Sequence, residues 1–225
     1  MKINIRDVKV KWINLDQDEE KNEQMKEIVN RLGFRNASRF SAVSGIEPHE
    51  NVRHGEEHYR SCAESHFTIL QEAIDNNDFP ILILEDDVEV ENAIPDVIDA
   101  LNEELEVPDD IDALYLGTSH GDQRYVATDM GNGWLKLRGV FATHAILYFN
   151  ADLARDVIKH GEEWIYEKCL PFDLCLAYKL QNEYNVYSPH NPWFYQSDDK
   201  NTVNKWESIT RTPLVKTKKF SVHSI

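Results

Sequence analysis

The sequence predicts an α/β fold, with a mostly parallel central sheet flanked by helices. Two observations support this prediction. Segments with strand and helix periodicity alternate from residue 8 to residue 90, the order that builds a parallel sheet. Within them, the aliphatic run PILILEDDVEV at 80–90 is typical of a strand covered by helices on both faces. No repeat or linker-like stretch divides the 225 residues, so we expect a single domain, 1–225.

The first half of the chain supplies the alternating elements. Asp16 or Asp18 is a suitable N-cap for the first helix, and Gly33 ends it. The second helix is predicted from apolar residues at helical spacing, followed by the Asn76-Asn77-Asp78 stop. The predicted elements are strands at 8–15, 39–43 and 80–90 and helices at 16–32 and 56–76.

The second half changes character. Gly131-Asn132-Gly133 can adopt the positive φ angles of a tight hairpin, which predicts a smaller antiparallel region around it. Residues 181–225 lack periodicity and are rich in aromatic and polar residues, so we expect an irregular C-terminal segment that wraps over a site. The other predicted elements are helices at 94–105, 152–160 and 172–180 and strands at 112–119, 124–128, 134–140 and 141–149.

Composition excludes several classes of protein. Three cysteines without a CxxC pair argue against a disulfide framework and favour a reducing compartment. The beginning of the chain lacks the apolar core of a signal peptide, and no stretch is long enough for a membrane span, so we expect a cytoplasmic protein. The net charge of −16 opposes binding to nucleic acid. A local basic excess near the C-terminus could still bind it or form a solvated tail: Lys205, Arg211, Lys216, Lys218 and Lys219.

The acidic triplet Glu85-Asp86-Asp87 directly follows the aliphatic strand. Carboxylates in this position are costly to desolvate unless they reach solvent or bind a cation. Strand alternation places Glu85 and Asp87 on one side and Asp86 on the other, although a bend at the strand end could bring Asp86 in instead. Two carboxylates on one face suit Mg²⁺ or Mn²⁺. The alternative is an acidic strand end that leads into a solvated loop.

Four segments, in the same order, resemble the family 25 glycosyltransferases, the group of lipooligosaccharide and collagen galactosyltransferases. They are WINLD at 12–16, FSAVSG at 40–45, SCAESH at 61–66 and LILEDDVEV at 82–90. The resemblance implies a GT-A fold, a nucleotide-sugar donor that is commonly UDP-linked, and Mn²⁺ or Mg²⁺ at the acidic motif. It makes 1–120 the donor half and 121–225 the acceptor half of a hexosyl- or pentosyltransferase. The compact chain is also similar to glycosyltransferase-like proteins of large tailed phages, which would place it in the host cytoplasm.

The resemblance also implies site residues. Asp86, Ser65 and His66 belong to matching motifs. His66 lies beside the donor diphosphate, supports the acidic strand, or is a buried structural histidine. Gln17 and Lys21 replace the family's usual arginines, which leaves the phosphate contacts there open. The residues expected to contact the nucleotide or its base are Ile13, Asn14, Leu15, Asp16, Ala42, Val43 and Ser44.

Asp173 and His190 are the candidates outside these motifs. Asp173 lies in PFDLCL at 171–176, which resembles a later Pro-x-Asp segment of the family. It is either a helix N-cap or the general base for an inverting transfer. His190 is a candidate for completing the metal shell, as a late histidine does in many GT-A enzymes. Asp112 and Asp198 are weaker candidates for the base.

Three further patterns have structural alternatives. His54, His58, Cys62 and His66 recur every fourth residue, but a stripe spread over three helical turns cannot all bind one zinc ion. His144 interrupts an apolar strand and faces either the site or the core. The aromatic side chains after Pro192 either stack on a sugar or base or pack as a loop. They are Trp193, Phe194 and Tyr195.

The predicted function is sugar transfer, with inversion, from a nucleotide-sugar to an acceptor hydroxyl. The acceptor is a glycan or, for a phage protein, a hydroxymethylated DNA base. The alternative is a non-catalytic module that binds a nucleotide or glycan on the same fold. Neither the identity of the sugar nor the oligomeric state is indicated by any sequence feature.

Overall fold

The computed structural model describes residues 1–47, 58–119 and 125–197. Its helices are α1 (Glu19–Leu32), α2 (Tyr59–Asn76), α3 (Ile94–Ala100), α4 (Ala151–Glu162), α5 (Phe172–Cys175) and α6 (Gln181–Glu183). Two π-helical turns, Glu163–Glu167 and Leu176–Leu180, continue α4 and α5. The strands are β1 (Lys2–Asn4), β2 (Lys9–Asn14), β3 (Asn36–Ser41), β4 (Ile81–Glu85), β5 (Val88–Val90), β6 (Glu104–Glu106), β7 (Ala113–Tyr115), β8 (Val126–Gly131), β9 (Trp134–Arg138), β10 (Ala145–Tyr148), β11 (Val186–Pro189) and β12 (Phe194–Gln196).

A central sheet of eight strands has the order β3-β2-β4-β10-β7-β11-β9-β8. The β2 strand pairs in parallel with β3 and β4, and β11 pairs in parallel with β7. The β10 strand is antiparallel to both of its neighbours, so β4 and β7 run in the same direction. The predicted α/β fold, with helices flanking a large central sheet, is confirmed. The carboxyl ends of β2, β4 and β7 therefore meet at one edge, where open α/β sheets bind their ligands.

The aliphatic run of β4 explains why the sheet is covered on both faces. Ile81 and Ile83 pack with α2 and α4, whereas Leu82 and Leu84 pack with α1 and α3. All four side chains are at most 1% exposed. Burial of each contributes about 1.5–3 kcal/mol, which fixes the strand in the centre of the sheet and positions its acidic end.

The helical ends follow the predicted signals in α1. The side chain of Asp18 accepts a hydrogen bond from the Lys21 amide, and Gly33 ends the helix with φ of 74°. Gly is favoured there because its lack of a Cβ atom permits a left-handed backbone. Among the described residues, no helix combines the length and apolarity needed to cross a bilayer.

Two sequence predictions of secondary structure were wrong. The helix predicted at 94–105 ends at Ala100, because Asn102 and Glu103 have positive φ angles and turn the chain into β6. The β6 strand pairs with β1 at the start of the chain. Residues 181–225 were predicted to be irregular, yet β11 lies inside the central sheet between β7 and β9.

Glu103 joins the turn after α3 to the beginning of the chain. Its carboxylate accepts hydrogen bonds from Arg6 Nη1 at 2.9 Å and Arg35 Nη2 at 2.5 Å. Hydrogen bonds from Arg35, then from Arg6, lower the pKa of Glu103 from 4.5 to about 2. A carboxyl group whose pKa is lower in the folded than in the unfolded state stabilises the fold. This contribution is complete at pH values above the unfolded-state pKa, and it is lost as pH falls through the folded-state pKa.

We therefore expect the Glu103→Gln variant to lose less stability than the wild type when pH falls from about 5 to about 2. Urea denaturation across this range measures the difference. The Glu23→Gln variant, which removes an exposed carboxylate, is the control. Its stability should change with pH nearly as that of the wild type does. Equal slopes in Glu103→Gln and wild type would show that the cluster does not couple protonation to folding.

Candidate active site

The acidic triplet lies where β4 ends and the chain turns into β5. Glu85 is the last residue of β4, and Asp86 and Asp87 form the turn. Glu85 faces α2, on the same side of the sheet as Ile83, and Asp86 faces the beginning of α1. The alternation predicted for these two side chains is therefore present. The three carboxylates have different partners.

Glu85 is held by side chains from two elements. Its Oε1 atom lies 3.1 Å from His66 Nε2 on α2 and accepts a 2.5 Å hydrogen bond from Thr143 Oγ1. The Cys62 thiol, one turn before His66, lies 3.8 Å from the same oxygen. Burial acts to raise the pKa of Glu85, but the bonds from His66 and Thr143 outweigh it and lower this pKa to about 2. Glu85 is thus an ionised carboxylate with one oxygen occupied.

His66 was expected near the diphosphate or in support of the acidic strand, and it makes the second kind of contact. The residue is 0% exposed. Its Nδ1 atom has no hydrogen-bond partner among the described residues. The tautomer with the proton on Nε2 donates to Glu85 and leaves no buried N–H group unpaired.

Asp86 is fixed through Asn14 at the end of β2. Asn14 Nδ2 donates to Asp86 Oδ2 at 2.9 Å and to the Asp18 carbonyl at 3.0 Å. Asn14 Oδ1 accepts from Arg39 Nε at 2.8 Å. The amide of this buried residue is therefore fully used. Lys21 Nζ lies 3.6 Å from Asp86 Oδ1 and brings a positive charge to this side of the triplet.

Only one of the two carboxylate oxygens of Asp87 accepts a hydrogen bond from the described residues. Oδ2 accepts a 3.0 Å hydrogen bond from Gln196 Nε2, and Ser197 donates its amide to the Asp87 carbonyl at 2.8 Å. Oδ1 is buried and has no hydrogen-bond partner among the described residues. Burial, with the charge of Glu85, raises the pKa of Asp87 to about 7. The late segment thus contacts Asp87 through Gln196 and Ser197. That it wraps over a site stays a prediction.

The segment that follows β3 is tied to both neighbouring motifs. Ala42 donates its amide to the Asn14 carbonyl at 3.0 Å, and the Val43 amide donates to Ser65 Oγ at 2.9 Å. Ser65 Oγ in turn donates to the Ser61 carbonyl, so Ser65 positions the segment from α2. The WINLD, SAVSG and SCAESH motifs are therefore in direct contact.

The other residues that were expected to contact the nucleotide differ in their exposure to solvent. The Ile13 side chain is 7% exposed and packs in the core, so only its backbone is available at the site. Leu15 is half-buried, and Asp16 and Ser44 are exposed. Asp16 Oδ1 accepts hydrogen bonds from Arg39 Nη2 at 2.6 Å and Ser41 Oγ at 2.7 Å. These bonds lower the pKa of Asp16.

Asp173 belongs to the same cluster. It lies in the first turn of α5, where Pro171 takes the N-cap position, so the N-cap interpretation of Asp173 was wrong. Burial is the main cause of the raised pKa of the Cys62 thiol, and the charge of Asp173 contributes with those of Glu85 and Asp87. The charge of Asp173 also adds to the raised pKa of Tyr115, which is mainly caused by burial. The ring of Phe172, the residue before Asp173, lies 5.2 Å from the His66 ring between centroids, so Asp173 lies on the α2 side of the triplet.

The structure does not bring His190 to the triplet. His190 Nε2 lies 3.2 Å from Asp129 Oδ1, and its amide donates to the Gly133 carbonyl beside the β8–β9 turn. It follows β11, and two strands separate β11 from β4 in the sheet. At the usual strand spacing this is roughly 14 Å, which is too far for His190 and the triplet to bind one ion.

Several other candidates have structural roles or lie elsewhere. Trp193 and Phe194 are 6% and 0% exposed and pack in the core, so they cannot stack on a ligand.

Asp112 accepts hydrogen bonds from Asn150 and from the Asn185 amide, which joins β7 to its neighbours. Among the described members of the histidine stripe, His58 is exposed, whereas Cys62 and His66 approach one point. Candidates outside the described residues are His54, Asp198, Lys205, Arg211, Lys216, Lys218 and Lys219.

His144 lies in the core and helps to position Glu85 through a backbone hydrogen bond. It is 0% exposed, and its carbonyl accepts a hydrogen bond from the Glu85 amide at 3.0 Å. Burial lowers the pKa of His144 to about 4. Gly117, after β7, permits this packing, because a Cβ atom there would lie 2.0 Å from His144 Nε2.

The Gly117→Ala substitution is therefore expected to destabilise the protein by about 2–3 kcal/mol, since the ring has no space to move within the packed core. Urea denaturation measures the loss. Gly45→Ala provides a contrasting variant, because a Cβ atom there meets nothing within 4 Å although its φ of 76° is strained. A loss in Gly117→Ala no larger than about 0.5 kcal/mol would show that His144 is not held in this position.

The site includes residues that the sequence analysis did not select. Thr143, Gln196 and Arg39 each make a direct contact with the motif residues. They come from segments distant in sequence, and no local pattern marks them. Cys62 was noted in the stripe and in the SCAESH motif but was not selected as a site residue, although its spacing of four residues from His66 on a helix does predict a shared face.

Comparison with known proteins adds a family. The sequence model described as glycosyltransferase family 25 (LPS biosynthesis protein) matches residues 9–132. Among solved structures, the chain is similar to a glycosyltransferase involved in the glycosylation of the major capsid of PBCV-1. The two are 14% identical over 81% of this chain and 93% of that chain, with a TM-score of 0.38. Mannose-1-phosphate geranyltransferase from Thermus thermophilus is 10% identical over 82% of this chain and 73% of that chain, with a TM-score of 0.34.

At these TM-scores the two structural likenesses support no conclusion about this chain. No curated protein matches it at a significant level. The family match is different, because it spans more than half of the 225 residues and contains the acidic triplet together with the motifs that contact it. The chain belongs to glycosyltransferase family 25 and is a glycosyltransferase.

Proposed function

We propose that the enzyme transfers a sugar from a nucleotide-sugar, in the first instance a UDP-sugar, to a hydroxyl group of a glycan, with a divalent cation at the acidic triplet. The observation that carries this proposal is Asp87 Oδ1, a buried carboxylate oxygen with no hydrogen-bond partner among the described residues. A buried carboxylate without a partner is costly, and a cation removes that cost.

The donor atoms fit Mn²⁺ or Mg²⁺, which prefer oxygen ligands. Asp87 would supply Oδ1, and Glu85 would supply Oε2, because its other oxygen is occupied by His66 and Thr143. His190 has no part in this proposal. A cation bound here would act as a Lewis acid that neutralises the departing nucleoside diphosphate.

The donor would lie over the ends of β2 and β3. Asn14, Ala42 and Val43 form a connected backbone there, cross-linked by Arg39 and Ser65, so this surface is preorganised. Exposed groups on it include Asp16 and Ser44, which could contact ribose or base. Lys21, beside Asp86, would place a positive charge near the diphosphate.

The acceptor would approach from the α2 and α5 side of the triplet. Asp173 is the carboxylate there that we assign as general base, removing the proton from the acceptor hydroxyl as its oxygen attacks the anomeric carbon. Attack on the face opposite the leaving group inverts the anomeric configuration. A glycan is favoured over DNA as acceptor, because the net charge of −16 repels a polyanion.

Release of nucleoside diphosphate from UDP-, GDP- and CMP-sugars, with Mn²⁺ or with chelator, tests the proposal. We expect release from a UDP-sugar that requires the cation and increases with a glycan acceptor. Metal-independent donor binding without turnover would instead support a non-catalytic module. Stimulation by hydroxymethylated duplex DNA, but not by any glycan, would overturn the assigned acceptor class.

A further inference from the structure

Three different donor atoms converge on the α2 side of Glu85. They are Cys62 Sγ, a nitrogen of His66 and a carboxylate oxygen of Glu85, and all lie within 4.8 Å of one another. Cys62 and His66 are four residues apart on an 18-residue helix, so they share one face of a rigid element. Glu85 approaches that face from the end of β4.

The chemistry of this group differs from that of the Asp87 site. Mn²⁺ and Mg²⁺ prefer oxygen donors, whereas a thiolate, an imidazole and a carboxylate together are the ligand types of Zn²⁺. We propose that Cys62, His66 and Glu85 form a second metal site, selective for Zn²⁺ and similar transition-metal ions, on the α2 side of the triplet.

The distances support this proposal. Zinc bonds of about 2.1 Å to N or O and about 2.3 Å to S, in tetrahedral geometry, separate two N or O ligands by roughly 3.4 Å and S from either by roughly 3.6 Å. The His66 Nε2 to Glu85 Oε1 distance is 3.1 Å, and the Cys62 Sγ to Glu85 Oε1 distance is 3.8 Å. Both separations are within a few tenths of an ångström of the required values, and the third pair, Cys62 and His66, has its ligand atoms within 4.8 Å.

The surroundings suit an ion with an open coordination position. His66 is fully buried, and the Glu85 side chain is 17% exposed, so the site is enclosed on the helix side and reachable from the triplet. Three protein ligands leave a fourth position for water or for the Thr143 hydroxyl, which already contacts Glu85. Binding would convert the Cys62 thiol to a thiolate, with its proton released to solvent. The His66 ring proton would move from Nε2 to Nδ1, so that Nε2 can bind the ion.

Glu85 is shared by the two sites, which gives the second site a consequence for activity. A zinc ion on Oε1 would displace the bonds from His66 and Thr143 that hold the carboxylate in place. It would also draw the negative charge of Glu85 away from the catalytic cation that we assign to Oε2. We therefore infer that Zn²⁺ inhibits sugar transfer. This consequence rests on the proposed function, whereas the existence of the site does not.

Cobalt substitution tests the site directly. We expect one equivalent of Co²⁺ added to the 225-residue chain to produce a thiolate-to-cobalt charge-transfer band, and Zn²⁺ to remove it. Cys62→Ser should abolish the band and weaken Zn²⁺ binding in calorimetry by at least about tenfold. Cys169→Ser is the matched control, since Cys169 is also half-buried but lies outside the cluster, and it should retain the band.

A wild-type protein that gives no band, or a band that persists in Cys62→Ser, would overturn the proposal. Inhibition is measured separately, as the ratio of transfer rates with and without Zn²⁺ at fixed Mn²⁺. This ratio of rates should fall in the wild type and in Cys169→Ser. In Cys62→Ser its fall should be smaller by a factor of at least about ten. A band without inhibition would refute the inhibitory role, and a band in a protein that turns over no nucleotide-sugar would refute the proposed function alone.

Discussion

Replacing Asp87 by asparagine is expected to reduce sugar transfer by about 10³-fold while the protein stays folded, a loss of roughly 4 kcal/mol in transition-state stabilisation. The amide retains an oxygen that can accept the hydrogen bond from Gln196, so the turn between β4 and β5 keeps its shape. What it loses is the negative charge that would hold the cation. Steady-state release of nucleoside diphosphate at saturating Mn²⁺ measures the effect, and the exposed Asp96→Asn on α3 is the control.

Stability should change in the opposite direction. The Asp87 carboxylate is buried beside the charge of Glu85, and Oδ1 has no partner among the described residues. Removing that charge is expected to stabilise the metal-free protein by about 1–2 kcal/mol in urea denaturation with chelator at pH 8. A variant that lost both activity and stability would show that Asp87 supports the fold, not a cation.

The part of the site built from β2, β3, α2 and β4 could be predicted because each element has a local signal. A continuous aliphatic run fixes β4 in the centre of the sheet, so the triplet must emerge at its carboxyl end. The first helix begins at Asp18 and ends at Gly33, as its capping residues indicate. The family resemblance rested on motifs within the same region, and the structure joins them through Asn14 and Ser65.

The second half of the chain could not be predicted to the same degree, because its geometry depends on pairing between distant segments. The β11 strand is short and carries a polar residue, Ser188, that is buried by the fold. Only its placement between β7 and β9 makes it a sheet strand, and this placement takes His190 away from the triplet. Thr143 and Gln196 likewise reach the acidic residues through tertiary contacts that no sequence spacing records.

Asp173→Asn is expected to have the second largest effect on transfer, a fall in kcat of about 10²–10⁴-fold. The amide cannot take the proton of an acceptor hydroxyl, but it has nearly the same size and keeps the first turn of α5. Asp152→Asn is a closely matched control, because Asp152 is also the second residue of its helix, in α4, and its side chain is 85% exposed. It should transfer sugar at the wild-type rate.

The kinetic pattern separates a base from a residue that only supports the fold. A general base acts on the acceptor, so donor binding to Asp173→Asn, measured by calorimetry with UDP-sugar and Mn²⁺, should stay within about twofold of the wild type. The acidic limb of the kcat profile, which reports the base in the bound complex, should disappear. Weakened donor binding with an unchanged pH profile would instead assign Asp173 to the packing around Cys62, and the base to another group. Asp173 follows Phe172, whose ring packs against His66 of α2, whereas Asn14 and Lys21 contact Asp86. Loss of transfer with intact donor binding would therefore support an acceptor that approaches the triplet from the α2 side.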